Sequence, residues 1–411
     1  MKLHFRDQTF SFELLRTASY APEGGAEIGE CLATAARITE GDFESWHVEW
    51  TRTARRLEAL AARAIVAGHP ASGPLLRASN YYRTAEFFLA PDDRRRLETY
   101  EKSCTLFRHA MAEMGVRVEP VQIPYEGTTL PGYFYRVDDR RSPRPLLVSL
   151  GGFDSTGEEL YFFAAAAALR RGYNCLTFEG PGQGEPLRRQ HLPARPDYEV
   201  PVRAALDYLW QRPDVDRERV ALMGTSLGGY YAGRAAAFEP RIRALIIHGA
   251  VLDLWAAQAH TKPGLARVAA WKSPRRVEFV LQAVEQLNNE LRWSLANGQW
   301  VFGVASRNAV LQTIQQYTLK PVVKQIHCPT LILHGQQDHF IPVEQAEQLY
   351  AALTSPKTLR VFTAEEGAEE HCQIGNLGLM QQVAFDWLDE IFAAQFTTVG
   401  AERLAASEIH P

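Results

Sequence analysis

Apolar positions in the first part of the chain recur at helical spacing. Over residues 27–38 they fall at Ile28, Leu32, Ala35 and Ala36, near a period of about 3.6, until Gly41 breaks the pattern. Residues 43–67 carry Trp46, Trp50, Leu57, Leu60 and Ile65 and stop at Gly68-His69-Pro70. Residues 75–89 are aromatic-rich, with Tyr81, Tyr82, Phe87 and Phe88, and a fourth segment runs over about 92–114. No strand pattern interrupts these segments, so residues 1–115 are predicted to be a helical domain in front of a second fold.

The texture changes at Val116. Residues 116–125 and 129–137 read as two strands joined by a turn at Glu126-Gly127, hence antiparallel. Further strands are predicted over 146–150, 174–178, 220–223, 245–247, 331–333 and 358–362. Helical segments stand between them: from Gly152 to Arg171, over 198–212, after Ser226, from Val343, and over about 378–392. Alternating strands and helices imply an α/β fold, a mostly parallel eight-stranded sheet with helices on both faces. The stretch 252–326 has no clear strand and holds Trp255, Trp271, Phe279, Trp293, Trp300, Phe302 and Tyr317. A helical insertion between two sheet strands is placed to be a lid. The expected organisation is therefore 1–115 N-terminal helical region, 116–251 first part of the core, 252–326 lid, 327–396 second part of the core, and 397–411 a frayed tail.

Composition narrows the function. A net charge of −4, with 22% charged and 46% hydrophobic residues over 411 positions, gives no electrostatic case for nucleic acid. Met1-Lys2-Leu3-His4-Phe5-Arg6-Asp7 has charges and no apolar run, so no secretory signal is expected, and the longest apolar run, 161–169, is too short for a bilayer. Cys31, Cys104, Cys175, Cys328 and Cys372 are scattered and odd in number, without zinc or disulfide spacing. A cytoplasmic enzyme without metal or membrane partner is expected. Gly180-Pro181-Gly182-Gln183-Gly184 lacks the ending of a phosphate loop and reads as a strand-to-helix turn, so no cofactor is expected either.

The chemistry sits in Gly224-Thr225-Ser226-Leu227-Gly228, a G-x-S-x-G run between the strand at 220–223 and a helix. That context holds a serine on a sharp turn with its hydroxyl exposed, and side chains at the glycines would clash across it. A serine hydroxyl needs a base, and the base an orienting acid. Asp338 follows a late strand, and His371 precedes the last helix, in the order Ser, acid, His. Among competing histidines, His334 reads as a core residue inside a strand, His339 adjoins the acid, and His248 ends a strand, where it could line the pocket but reads first as structural. Cys372 reads as packing. The oxyanion donors are expected to be the N–H of Leu227 and that of Phe153, with Gly152 second. Ser155 and Glu158 have capping-box spacing, while Glu158 or Glu159 could instead supply an extra acid.

Further runs carry a resemblance. Phe178-Glu179-Gly180-Pro181-Gly182-Gln183-Gly184-Glu185, the elbow, and Glu365-Glu366-Gly367-Ala368-Glu369-Glu370-His371-Cys372-Gln373 resemble one α/β-hydrolase group, as do Gly25-Ala26-Glu27-Ile28-Gly29-Glu30, Gly41-Asp42-Phe43-Glu44-Ser45-Trp46 and Leu76-Arg77-Ala78-Ser79-Asn80-Tyr81-Tyr82-Arg83. The group includes bacterial 2,6-dihydroxypseudooxynicotine hydrolase and fungal hydrolases that shorten polyketide pigment precursors. The resemblance spans roughly residues 25–390. It implies the α/β-hydrolase fold, a serine, aspartate and histidine at Ser226, Asp338 and His371, a cap built from the N-terminal region and 252–326, a homodimer, and often hydrolysis of a carbon–carbon bond beside a carbonyl.

Carbon–carbon hydrolysis of a β-diketone or acylated phenol-like substrate is the first expectation. Its carbanion leaving group needs a polar partner, for which Glu158, Glu159, Tyr82, His260 and Lys262 are candidates. His371 could also activate water directly. An ester or thioester hydrolase, or an acyl transferase of secondary metabolism, would use the same residues. A non-catalytic binding protein would not need the intact elbow, acid and base. The aromatic lid implies an apolar or aromatic carbonyl substrate.

Overall fold

The computed structural model describes residues 1–140 and 142–407, with side chains through residue 394. The chain begins with an element that the hydrophobic pattern did not reveal. Helix α1, Gln8–Ala18, starts where the Asp7 carboxylate accepts the N–H groups of Thr9 and Phe10 at 2.9 and 3.1 Å. Residues 9–17 of α1 are all buried, Glu13 and Arg16 included, so local polarity does not mark the helix as interior. Helices α2 (Ile28–Ala35), α3 (Phe43–Val66), α4 (Ser72–Glu86) and α5 (Arg94–Glu113) follow, close to the predicted segments.

Among the described residues, eight strands form one sheet. They are β1 (Val118–Tyr125), β2 (Thr128–Tyr135), β3 (Arg144–Leu150), β4 (Asn174–Phe178), β5 (Val215–Thr225), β6 (Ala244–His248), β7 (Thr330–Gly335) and β8 (Lys357–Phe362). Their order is β1-β2-β4-β3-β5-β6-β7-β8, antiparallel for β1–β2 and β2–β4 and parallel elsewhere. Helices α6 (Ala166–Arg170), α7 (Gly184–Arg189), α8 (Glu199–Leu209) and α9 (Leu227–Phe238) alternate with β3 to β6. A π-helical turn, Tyr161–Ala165, leads into α6. The insertion between β6 and β7 carries α10 (Leu254–Thr261), α11 (Pro263–Ala269), α12 (Pro274–Val284), α13 (Asn289–Val301) and α14 (Arg307–Thr313). Helix α15 (Val343–Ala352) joins β7 to β8, and α16 (Leu377–Ser407) closes the chain.

Helix α16 runs to Ser407, into the stretch 397–411 expected as a tail, and residues 408–411 lie outside the described residues. One expectation is corrected here. Ser155 does not cap the following helix. Its hydroxyl donates to Glu159 at 3.4 Å, and the helical turn opens without a side-chain cap.

Strand residues alternate between two cores, as a period of two demands. Leu147, Cys175, Ala221, Met223, Ile246 and Leu333 pack on the face shared with the N-terminal helices and α16. Leu146, Val148, Leu176, Leu222, Ile247 and Ile332 pack on the opposite face, against α8, α9 and the insertion. The N-terminal helices thus complete the core of one face of the sheet. Parallel register brings strand ends together: Leu150 pairs with Gly224, Gly224 with Ile247, and Ile247 with Ile332. The loops after β3, β5, β6 and β7 therefore emerge on one edge, where ligands bind in parallel sheets.

Candidate active site

Ser226 sits between β5 and α9 at φ 61°, ψ −127°, a conformation that non-glycine residues avoid. Its neighbours hold it there. The Ser226 N–H donates to the His248 carbonyl at 2.7 Å, and Gly229 N–H donates to the Ser226 carbonyl at 2.7 Å. A Cβ on Gly228 would meet the Gly151 carbonyl oxygen at 2.6 Å, and one on Gly224 would run into the Gly228 carbonyl, so the elbow closes only with glycine at both places.

His371 reaches this serine from the turn after β8. Its Nε2 lies 2.8 Å from Ser226 Oγ, and its Nδ1 lies 2.6 Å from Asp338 Oδ2. With Nδ1–H donated to Asp338, Nε2 is left to accept the serine proton. Asp338 is fixed in turn, since its Oδ1 accepts the N–H groups of Phe340 and Ile341 at 2.9 and 2.8 Å. Burial alone would raise the Asp338 carboxyl, but His371 and these donors outweigh it and hold it down at about 2. Burial likewise opposes the His371 imidazolium, and Asp338 overrides it, raising His371 well above an ordinary histidine.

The 151–154 loop faces the elbow. A Cβ on Gly152 would fall 2.8 Å from Leu227 N and 2.9 Å from Ser226 Cβ, which measures how closely the two backbones approach. Gln183 orients this loop. Its Nε2 donates to the carbonyls of Gly151 and Gly152 at 2.6 and 3.1 Å. In a trans peptide the N–H points opposite the carbonyl, so the N–H groups of Gly152 and Phe153 are turned away from Gln183.

Ser226 and His371 open into a cavity of ≈1250 Å³, counted with its mouth. Phe12, Phe153, Phe340, Trp293 and Phe302 give it aromatic walls, and Leu254, Leu265, Leu291, Leu295, Val310, Leu311 and Ile314 of the insertion add an aliphatic one. Its polar side comes from α1 and the loop after β3. Arg16 Nε and Nη2 each donate to Glu159 at 2.7 Å, and Arg16 Nη1 donates to Asp154 at 2.7 Å. Tyr20 and Arg83 also engage Glu159. Burial would raise the Glu159 carboxyl, yet Arg16 and Arg83 hold it at about 2. Glu13 is different. It is buried and meets only the Arg16 Nη1 edge, at 3.4 and 3.5 Å, among the described residues. Burial, reinforced by Asp154 and Glu159, pushes its carboxyl up to about 7 against Arg16 and Arg83.

The expected auxiliary residues divide. Glu159 and Lys262 line the cavity, where Lys262 Nζ pairs with Glu290 at 2.8 Å. Arg16 and Arg83 favour the charged form of Glu159, against its expected use as a protonated acid. Glu158 points elsewhere: its Oε1 accepts from Tyr133 at 2.7 Å, and it lines a separate polar cleft. Tyr82 is buried in the N-terminal layer and donates to Glu58 at 2.6 Å, away from this cavity. His260 is exposed at the end of α10 and does not line it. The insertion's aromatics divide too, for Trp293 and Phe302 line the cavity while Trp271 and Phe279 face solvent. His248 and His334 are fully buried. Burial, and next His371, push His248 down to about 3. His334 Nδ1 accepts the Ala250 N–H at 3.1 Å, and its Nε2 donates to the Ile341 carbonyl at 2.9 Å. Cys372 lines the cavity with its Sγ 3.8 Å from the His248 carbonyl. Phe12, Glu13 and Arg16 escaped sequence reasoning because α1 did; Asp7 as a cap, with Phe10 and Leu14 one turn apart, was the available signal.

Among the described residues no helix is long and apolar enough to cross a membrane, and no cluster of three or more His, Cys, Asp or Glu is placed to hold a metal ion. None of the five cysteines is in a disulfide.

Known proteins match this arrangement. The family described as Hydrolase_4, serine aminopeptidase S33, matches residues 141–365. The chain is 39% identical to hydrolase acrC of Aspergillus aculeatus, across 95% of this chain and 98% of the relative. It is 38% identical to 20-hydroxy-prefusarin hydrolase FUS2 of Gibberella moniliformis, across 95% and 98%. Among solved structures, 2,6-dihydroxy-pseudo-oxynicotine hydrolase is similar at a TM-score of 0.71 and 25% identity, over 92% of this chain and 96% of that one. Wild-type AbyA5 shares the fold, at a TM-score of 0.64 and 19% identity over 92% and 99%. Agreement with named hydrolases across nearly the whole length, together with the family match, means that the chain belongs to the α/β-hydrolase family and is an enzyme.

Proposed function

We propose that this chain is a serine hydrolase that cleaves a carbon–carbon bond beside a carbonyl in an apolar, aromatic or polyketide-like small molecule. The observation that carries the reading is the Ser226–His371–Asp338 hydrogen-bonded chain opening into an aromatic-walled cavity. His371 Nε2 takes the Ser226 proton as Oγ adds to the carbonyl carbon. The N–H groups of Leu227 and Phe153, with Gly152 beside them, receive the oxyanion. The carbon–carbon bond then breaks, its electron pair leaves on the departing fragment, and protonated His371 delivers a proton to carbon. Water activated by His371 clears the acyl group from Ser226. Similarity to 20-hydroxy-prefusarin hydrolase and 2,6-dihydroxy-pseudo-oxynicotine hydrolase supports the substrate class. The 252–326 insertion serves as the lid, and the enzyme works as a cytoplasmic homodimer.

The test incubates wild type and Ser226→Ala with an aryl ester and an aryl β-diketone of matched acyl group, followed by mass spectrometry. Wild type splits the diketone into an acid and a ketone, and the variant does not. Cleavage of the ester alone would replace this reading with an esterase or acyl transferase, and no turnover by wild type with no labelling of Ser226 by a fluorophosphonate would leave a binding protein.

A further inference from the structure

We propose that Glu13 is a catalytic acid of this site, giving its proton to the enolate oxygen of the fragment that leaves. The inference rests on the carbon–carbon reading above. Loss of a carbanion requires a donor at the far carbonyl, beyond the reach of the N–H groups that hold the first oxyanion. The cavity contains four acids that could face it. Glu159 is engaged by Arg16, Arg83 and Tyr20, Asp154 is paired with Arg16 at 2.7 Å, and Glu290 with Lys262 at 2.8 Å. Glu13, which also lines the cavity, has only two long contacts to one guanidinium nitrogen among the described residues, so no short ion pair holds its carboxyl.

Its position suits the role. Arg16 Nη1 touches Glu13 at 3.4 Å and Asp154 at 2.7 Å, so the Glu13 carboxyl stands beside the loop that carries Phe153 N–H. Phe12, the preceding residue, has its ring 6.2 Å from the His371 ring. The groups facing Glu13 are Arg16 on the same helix, Asp154 and Glu159 after β3, and Arg83 on α4, with the paired Glu290 of α13 lining the same cavity. Burial and the two neighbouring carboxylates keep a proton on Glu13 to about pH 7, as a donor requires.

The step balances. Collapse of the tetrahedral adduct breaks the carbon–carbon bond and places its electron pair on the distal enolate oxygen. Glu13 transfers its proton to that oxygen, giving an enol and a Glu13 carboxylate. Protonated His371 then delivers its proton to the enol carbon while the enol O–H returns its proton to Glu13. The product is a ketone, and both side chains are restored.

The experiment measures kcat against pH for wild type and Glu13→Gln on the matched β-diketone and ester. The amide keeps shape and hydrogen bonding but cannot transfer a proton. Expected is a loss of about 10²-fold or more on the diketone, at least about tenfold beyond any loss on the ester, with one limb of the diketone pH profile removed. Equal losses on both substrates, or an unchanged profile, overturn the role of Glu13 and leave the carbon–carbon reading standing. Wild type that cleaves only the ester sinks both. If Glu13→Gln does not fold, wild type decides: the diketone profile has a limb that the ester profile lacks, and its absence overturns the proposal.

Discussion

Arg16 Nη1 lies 2.7 Å from Asp154 Oδ2, so the first helix of the chain is ion-paired to the residue that follows Phe153 in the elbow-facing loop. The remaining edge of the same guanidinium grips Glu159 with two 2.7 Å hydrogen bonds. A planar fork with fixed donors suits such double engagement, whereas a lysine would not provide it. The N-terminal layer is therefore joined to the reactive end of the sheet by directed bonds as well as by apolar packing.

Arg16→Met should leave Glu159 with a buried, undercompensated charge. Breaking a buried pair from one side costs about 3–5 kcal/mol. Urea unfolding at pH 7 should show a loss of this order, and Glu159→Gln added to Arg16→Met should recover part of it. A loss below about 1 kcal/mol would mean that the two elements are held by packing alone.

Gln183→Leu should remove both donors to the Gly151 and Gly152 carbonyls while filling similar space. Misplacing a donor loop by about 1 Å can reduce turnover up to about 10²-fold. The expected result is a fall in kcat with KM nearly unchanged, because the cavity walls stay intact. A change confined to KM would contradict the orienting role.

Gly152→Ala places a methyl 2.8 Å from Leu227 N, where the substrate oxygen is proposed to sit. Activity should fall on the order of 10²-fold or more, the scale of losing an oxyanion donor. Fluorophosphonate labelling of Ser226 should slow in parallel. Retained activity would move the oxyanion site elsewhere.

Glu13 also predicts a pH dependence of stability. Its carboxyl is raised in the folded chain from the ordinary 4.5 to about 7. Below about pH 4.5 it is protonated in both states and costs nothing. Between 4.5 and 7 the unfolded chain loses this proton first, so folding stability declines as pH rises, by about 3 kcal/mol in all, and the cost stays constant above 7. Glu13→Gln lacks that decline. Denaturation at pH 4.5 and pH 8 should show the variant gaining on wild type by about this amount at the higher pH; equal differences at both pH values would place the Glu13 carboxyl in water.

Much of the sheet was legible because a buried parallel strand is a short apolar run, and such runs need only local sequence. β4 matches its predicted span, whereas β5 extends to Val215 through Asp216, Arg217 and Glu218, charged positions that hide a strand end. The elbow was legible because Gly224 and Gly228 flank Ser226 within one short run, and Gly224 answers to the Gly228 carbonyl four residues on, although Gly228 itself answers to the distant Gly151. Helix α1 was not, since it is short and its Glu13 and Arg16 are buried along with its apolar residues, so local polarity does not mark it as interior.

Glu158 and Glu159 show where sequence stops. They are adjacent and chemically alike, yet Glu158 turns to Tyr133 and a separate cleft while Glu159 turns to Arg16 and the cavity at Ser226. The sequence by itself determined the alternating α/β order, the Gly-Ser-Gly elbow, and the order in which Ser226, Asp338 and His371 appear. Only the tertiary structure decided which acids share the cavity with them, and it added Glu13 from a helix more than 200 positions away in the chain. The reason is physical. Turns and strand periods follow from neighbouring residues, whereas the state of a buried carboxyl depends on solvent exclusion and on charges brought close by distant segments.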